Sequence, residues 1–217
     1  MSSSVKRIEI MATYTFPVSI QTMIKEQAGT VIYYPQVIQL GNQYIQQIIN
    51  MAIIEQVQNL IQQQYIEQGA ESFSEMIGLY EIKTNERNIL SLSLSNYAYA
   101  AQHAHGLTLM TSLTFDISTG KVYQLGDLFK RGSNYQEVLD ELIDQQIKSR
   151  DIPVINQYPG ILPDQDFYLA DKALVIYYPL YMFTPYYYGF PMFPISVYEL
   201  EGITNEKGPL GLLATNN

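Results

Sequence analysis

The chain has 217 residues, a net charge of -9 and no cysteine. The missing cysteines exclude disulfides, thiolate metal sites and cysteine nucleophiles. Lys and Arg number 12 against 21 Asp and Glu, and they are scattered, which argues against a nucleic-acid partner because phosphate binding needs clustered cations. With 47% apolar residues the chain can build a core, as one large domain or two small ones; no stretch approaches the roughly 20 apolar residues of a membrane span.

The amino-terminal stretch has the basic pair Lys6-Arg7, but Glu9 and Thr13 interrupt any apolar run of signal-peptide length, so no export signal is expected. Residues 5 to 34 read as strands: Ile8, Ile10 and Ala12 alternate with Arg7, Glu9 and Met11, and the pattern resumes at Val18 and Ile20 after Pro17. Gln27-Ala-Gly29 signals a turn before Thr30-Val-Ile-Tyr-Tyr34, and Pro35 is expected to end that strand. From Asn42 the period changes to 3.6. Ile45, Ile48, Ile49, Ala52, Ile53, Val57, Leu60 and Ile61 make an apolar stripe that predicts a helix of about six turns ending near Gly69.

Residues 74 to 84 read as a strand, with a hairpin connection at Asn85-Glu-Arg-Asn88. The centre of the chain follows. Leu90, Leu92 and Leu94 alternate with Ser91, Ser93 and Ser95, and Leu107 to Asp116 alternates again, which predicts antiparallel strands with one face buried and one wet. Beyond Phe129, the spacing of Ser133 and Gln136 predicts a capped helix whose stripe is Tyr135, Val138, Leu139, Leu142, Ile143 and Ile147. Strands are expected at 166–170, 173–178 and 195–200, with a polar tail from Gly202 expected to be disordered. The fold class is therefore α+β: antiparallel sheet with two amphipathic helices packed on it.

With these motifs in view, the chain resembles two linked bacterial families. Tyr34-Pro35, the helix from Gly41-Asn42 with Ile49-Asn50, and the Leu-Ser alternation ending in Ala104-His105-Gly106 are similar to the PdaC-type domain found ahead of the catalytic part of a peptidoglycan deacetylase. Phe115-Asp116 with Thr119-Gly120-Lys121, Leu125 to Phe129 around Asp127, Asp166 to Leu169, and Tyr181 to Gly189 leading to Phe193-Pro194-Ile195 resemble the domain of unknown function that forms the sensor of RsiV, the lysozyme-sensing anti-sigma factor. The resemblance divides the chain into residues 1–106 and 107–217, packed together. It implies a non-catalytic binding or sensor-like module with no cofactor, whose partner is a cell-wall glycan or a lysozyme-like basic protein. The families are extracytoplasmic, while the missing export signal leaves a cytoplasmic or spore-associated structural role open, and oligomeric state is not legible. An acidic surface suits a basic partner and is equally an ordinary route to solubility.

His103 and His105 form a His-x-His pair able to share one strand face, but no other histidine exists to complete a metal site, and a structural hydrogen bond at the strand junction is the expectation. A hydrolase built on His105 and nearby carboxylates is the alternative activity, although no G-x-S-x-G elbow is present. Asp116 and Asp127 sit where turns want Asx caps, and neither is expected to be catalytic. The aromatic run is different. Prolines at 179, 185, 191 and 194 forbid regular pairing there, so Tyr181, Phe183, Tyr186, Tyr187, Tyr188 and Phe190 are expected either to form a contact surface or to cover the open end of the core.

Overall fold

A computed structural model describes residues 17–101 and 103–215; the strand expected over residues 5–16 lies outside the described residues. Five strands make the first sheet in chain order: β1 (Ser19–Gln27), β2 (Thr30–Ile38), β3 (Glu75–Glu86), β4 (Ile89–Tyr99) and β5 (Leu107–Asp116). Neighbours pair antiparallel except β2 and β3, which run parallel over Thr30–Ile32 and Met76–Gly78. That pair requires a crossover, and α1 (Gln43–Gln68) supplies it. Pro35 does not end β2, contrary to expectation; it pairs opposite Thr22. Past Ile32 the side of β2 away from β1 has no strand ladder that would need its N–H.

The α1 boundaries follow from its caps. Asn42 Oδ1 accepts the Tyr44 and Ile45 N–H groups at 3.0 and 3.3 Å, and Gly69 ends the helix at φ 59°. Its stripe, Ile49, Ile53, Val57 and Leu60, is buried against Leu90, Leu92, Leu94, Leu113 and Phe115, each such side chain worth about 1.5–3 kcal/mol of burial. Asn50 faces β2, where its amide bonds both Val37 N–H (2.8 Å) and Val37 C=O (2.9 Å) in the manner of a neighbouring strand.

The opposite sheet face corrects the expectation of a wet side. Ser91 and Ser93 are as buried as the leucines beside them, because a second antiparallel sheet lies on them: β6 (Phe167–Ala170), β7 (Ala173–Tyr177) and β8 (Met192–Ser196), in that order. The contact is made by hydroxyls. Thr84 Oγ1 donates to Leu169 C=O (2.8 Å), Ser91 Oγ accepts Leu169 N–H (2.9 Å), and Ser112 Oγ donates to Phe167 C=O. Three strands of the first sheet thus satisfy the free edge of β6, which would otherwise bury unpaired backbone groups at a cost of about 1–3 kcal/mol each.

Helix α2 (Tyr135–Ser149) packs Leu139 and Ile143 into the core formed with β6–β8, to which Ile89 of β4 also contributes. Its N-cap is Asn134 rather than Ser133, whose buried hydroxyl has no partner among the described residues. The division of the chain at residues 106 and 107 falls between β4 and β5, neighbours in one sheet. The last strand runs Met192–Ser196 and includes Pro194, tolerated on an edge strand. Nor is the tail irregular: α3 (Pro209–Ala214) buries Leu210 and Leu213 in the same core, and Arg87 binds the Leu212 and Thr215 carbonyls at 2.6 and 2.7 Å.

Candidate functional site

The aromatic run divides its rings between core and surface. Tyr178, Phe183 and Phe193 are fully buried: Tyr178 meets both phenylalanines edge to face, with Tyr178–Phe183 centroids 5.3 Å apart, the two phenylalanines stack on one another, and Tyr158 closes on Tyr178 and Phe183. Phe183 is therefore core and not a contact residue, as the run had left open. Tyr188 and Phe190 are half-buried, while Tyr181, Tyr186 and Tyr187 are exposed, Tyr187 to 80%. Pro185 precedes a 3-10 turn, Tyr186–Tyr188, which Gly189 ends at φ 78°; this short turn is what points successive tyrosines outward. Tyr181 itself holds φ 66°, a left-handed conformation that costs a bulky residue about 1–2 kcal/mol and persists only where its surroundings over-determine it.

Tyr181 takes that conformation as the third residue of the turn that Met182 N–H closes on Pro179 C=O at 3.4 Å, and its side chain then meets His105. His105 lies in the junction between β4 and β5, beneath the aromatic loop. His105 and Tyr186 stack at 4.6 Å with planes 22° apart, and Tyr186 and Tyr181 stack at 5.2 Å, also at 22°. His105 Nδ1 lies 2.9 Å from Gly106 C=O. A carbonyl only accepts, so Nδ1 carries the proton, and in the neutral ring Nε2 accepts from Tyr181 O–H at 3.2 Å. Tyr186 O–H donates to the same Gly106 carbonyl at 3.2 Å. Gly106 is required by sterics: a Cβ there would meet the Tyr97 ring at 2.3 Å. His105, Tyr186 and Tyr181 thus form a platform, and Tyr97, absent from the expected site, lies against Gly106.

The remaining expected residues lie elsewhere. His103 is exposed and its N–H donates to Ala100 C=O at 3.2 Å. Among the described residues no three His, Asp or Glu side chains gather as a metal-ligand group. Asp116 ends β5, on the order of 30 Å along the strand from Leu107 at 3.4 Å per residue, and caps its own turn by accepting Ser118 N–H at 2.8 Å. Gly120, at φ 77°, lets that turn lie on α1 beside Ile45 and Ile48. Asp127 accepts Gln124 N–H and pairs with Lys121, both at 2.9 Å. Burial alone would raise its carboxyl, but these two partners hold it below the usual carboxylate range.

A second polar site was not legible in the sequence. A cleft of about 410 Å³ opens between α1, the Thr111–Thr114 end of β5 and residues 164–167. Behind its lining, the single Tyr177 hydroxyl proton is shared between Ser112 Oγ (2.9 Å) and Asp166 Oδ1 (3.2 Å). Burial pushes the Asp166 carboxyl up to about 6; the Tyr177 hydrogen bond opposes this and the charge of Asp164 adds to it. Burial likewise pushes the Tyr177 phenol well above its ordinary value. Only the acidic doublet Asp164-Gln165-Asp166 before a β-prone run offered a signal.

Comparison with known proteins bears on the fold. The family model described as "Protein of unknown function (DUF3298)" matches residues 126–198, the part holding α2 and β6–β8. No curated protein matches the chain. Among solved structures, a DUF3298 family protein from Pseudomonas aeruginosa PAO1 is similar over 93% of this chain and 99% of its own, at 17% identity and a TM-score of 0.63. A member of that family from Bacteroides fragilis NCTC 9343 is similar over 94% and 98%, at 13% identity and a TM-score of 0.62. The shared fold thus extends over the first sheet and α1, beyond the residues the family model matches.

Proposed function

We propose that this chain is a non-catalytic binding or sensor-like module that recognises a protein or glycan of the bacterial cell envelope through the rings of His105, Tyr186 and Tyr181. One observation carries the reading: three rings stack in register at the surface, hydrogen-bonded to one another and to Gly106, with Tyr187 projecting beside them. Pre-ordered rings lose little entropy on contact, and flat aromatic faces suit both sugar rings and protein hot spots. The envelope is named because of the resemblance to the PdaC and RsiV regions, and the net charge of -9 suits a basic protein partner. Hydrolysis through His105 has weaker support, since both ring nitrogens are engaged by Gly106 and Tyr181.

The test is capture of the chain on immobilised peptidoglycan and, separately, on immobilised lysozyme, comparing the native chain with the Tyr186→Ala, Tyr187→Ala double variant. The expected result is capture by one support that the double variant loses while its thermal unfolding stays cooperative. Capture by neither support, or equal capture of the variant, would sink the reading.

A further inference from the structure

Two sheets leave four edge strands: β1 and β5 on the larger, β6 and β8 on the smaller. An open edge is a template for pairing, and proteins usually block it. The edge of β6 is bound by the hydroxyls of Thr84, Ser91 and Ser112. On β8, Arg150 and Gln146 donate to the Met192 and Pro194 carbonyls, each at 2.8 Å, and Pro194 has no N–H to offer. β1 carries the charges of Lys25 and Glu26. By contrast β5, from Leu107 to Phe115, contains no charge, proline or glycine.

The outward groups of β5 follow from its turn. Thr114 C=O accepts Tyr123 N–H at 2.8 Å and Asp116 N–H donates to Lys121 C=O at 2.9 Å, so the even-numbered residues direct their main chain away from β4. By alternation Thr108, Met110 and Ser112 do the same. Among the described residues these outward N–H and C=O groups have no partner, and all three residues are only half-buried. At Ser112 this edge runs into the cleft described above, which is lined by the carboxylates of Glu55, Asp164 and Asp166 and by no Lys, Arg or His.

We propose that the edge of β5 from Thr108 to Ser112 receives an extended segment of a partner protein as an added strand, with a lysine or arginine of that segment seated in the acidic cleft. Main-chain hydrogen bonds supply affinity in such additions and the side-chain pocket supplies selection. A second copy of the chain is a poor occupant, because pairing β5 with β5 would bring two acidic clefts and two chains of net charge -9 together. The proposal does not depend on the ring platform, whose rings bond the Gly106 carbonyl just ahead of this edge.

Amide hydrogen exchange of the full chain tests it, with and without a saturating peptide of alternating Thr and Lys about the length of β5. Slowed exchange at Thr108, Met110 and Ser112 is expected, together with no effect of the matching Thr-Glu peptide. Glu55→Gln with Asp164→Asn should weaken the Thr-Lys peptide about tenfold. Thr108→Pro should weaken it similarly, by about tenfold, because it deletes an outward N–H that the β4 ladder does not use. No binding of the peptide, binding that leaves these three amides unchanged, or equal binding of the Thr-Glu peptide would overturn the proposal. So would protection of these amides that rises with protein concentration alone, which would make a second copy the occupant.

Discussion

Ser91→Ala removes a single oxygen from the middle of the seam between the two sheets. Ser91, Thr114 and Leu169 are each no more than 1% exposed, so water does not reach the groups left behind. Two bonds are lost: Leu169 N–H to Ser91 Oγ at 2.9 Å, and the Ser91–Thr114 hydroxyl pair at 2.8 Å. A buried hydrogen bond contributes about 1 kcal/mol net, and a buried N–H left unsatisfied costs about 1–3 kcal/mol. The expected loss is therefore about 2–4 kcal/mol, or a fall in Tm on the order of 10 °C for a chain of this size. Urea unfolding measures it, with an unchanged m value showing that the same surface is exposed. Ser95→Ala, on the same strand face but only half-buried, is the control and should fall within about 0.5 kcal/mol of the native chain. Adding Thr114→Val to Ser91→Ala should cost less than the two single losses combined, since both delete one shared bond. If Ser91→Ala unfolds at the same urea concentration as Ser95→Ala, the hydroxyl seam is not what holds the second sheet in place.

Two further outcomes follow from the site geometry. Gly106→Ala places a methyl 2.3 Å from the Tyr97 ring, so Tyr97 must swing away and the carbonyl shared by His105 and Tyr186 shifts with it; capture on the peptidoglycan or lysozyme support should drop at least as far as for the double Tyr variant, with tyrosine fluorescence altered. The Asp166 carboxyl, raised from 3.8 to about 6 in the folded chain, binds its proton more tightly folded than unfolded. The chain therefore gains stability from this group as pH falls from about 6 towards 4, and loses that contribution as pH rises through about 6. Asp166→Asn should flatten this part of the pH profile and stabilise the chain by about 1–3 kcal/mol at pH 7; a profile that keeps its slope in the variant would assign the titration to another group.

Local signals were strong wherever one residue type settles one local conformation. Asn42 and Gly69 bound α1 because a side-chain cap and a left-handed glycine act within one turn. The period of two through Leu90–Leu94 marks a strand for the same local reason. Alternation nevertheless says only that two faces differ, not what covers each: serine is small and polar enough to face water, and equally able to bond the edge of another sheet, and only the arrival of β6 decided between them. Gln64 is a similar case. It is fully buried, because its amide reaches the Asn96 and Leu107 carbonyls at 2.6 and 3.1 Å, partners more than thirty residues away that no helical pattern reveals.

The candidate site divides along the same line. His105 and the aromatic run were each conspicuous in the sequence, since both are rare concentrations of rings in a chain with two histidines. That they stack on one another depends on a chain separation of 76 residues between His105 and Tyr181 being closed by the packing of the two sheets. Composition and period determined the places of α1, α2 and the strands through β7 and which rings to watch, but not α3 or the bounds of β8. Tertiary structure alone decided that Phe183 is core while Tyr186 is surface, that Asp166 is buried beside Ser112, and that among the described residues β5 is left with an open edge, because each of these depends on which non-local surface reaches the residue first.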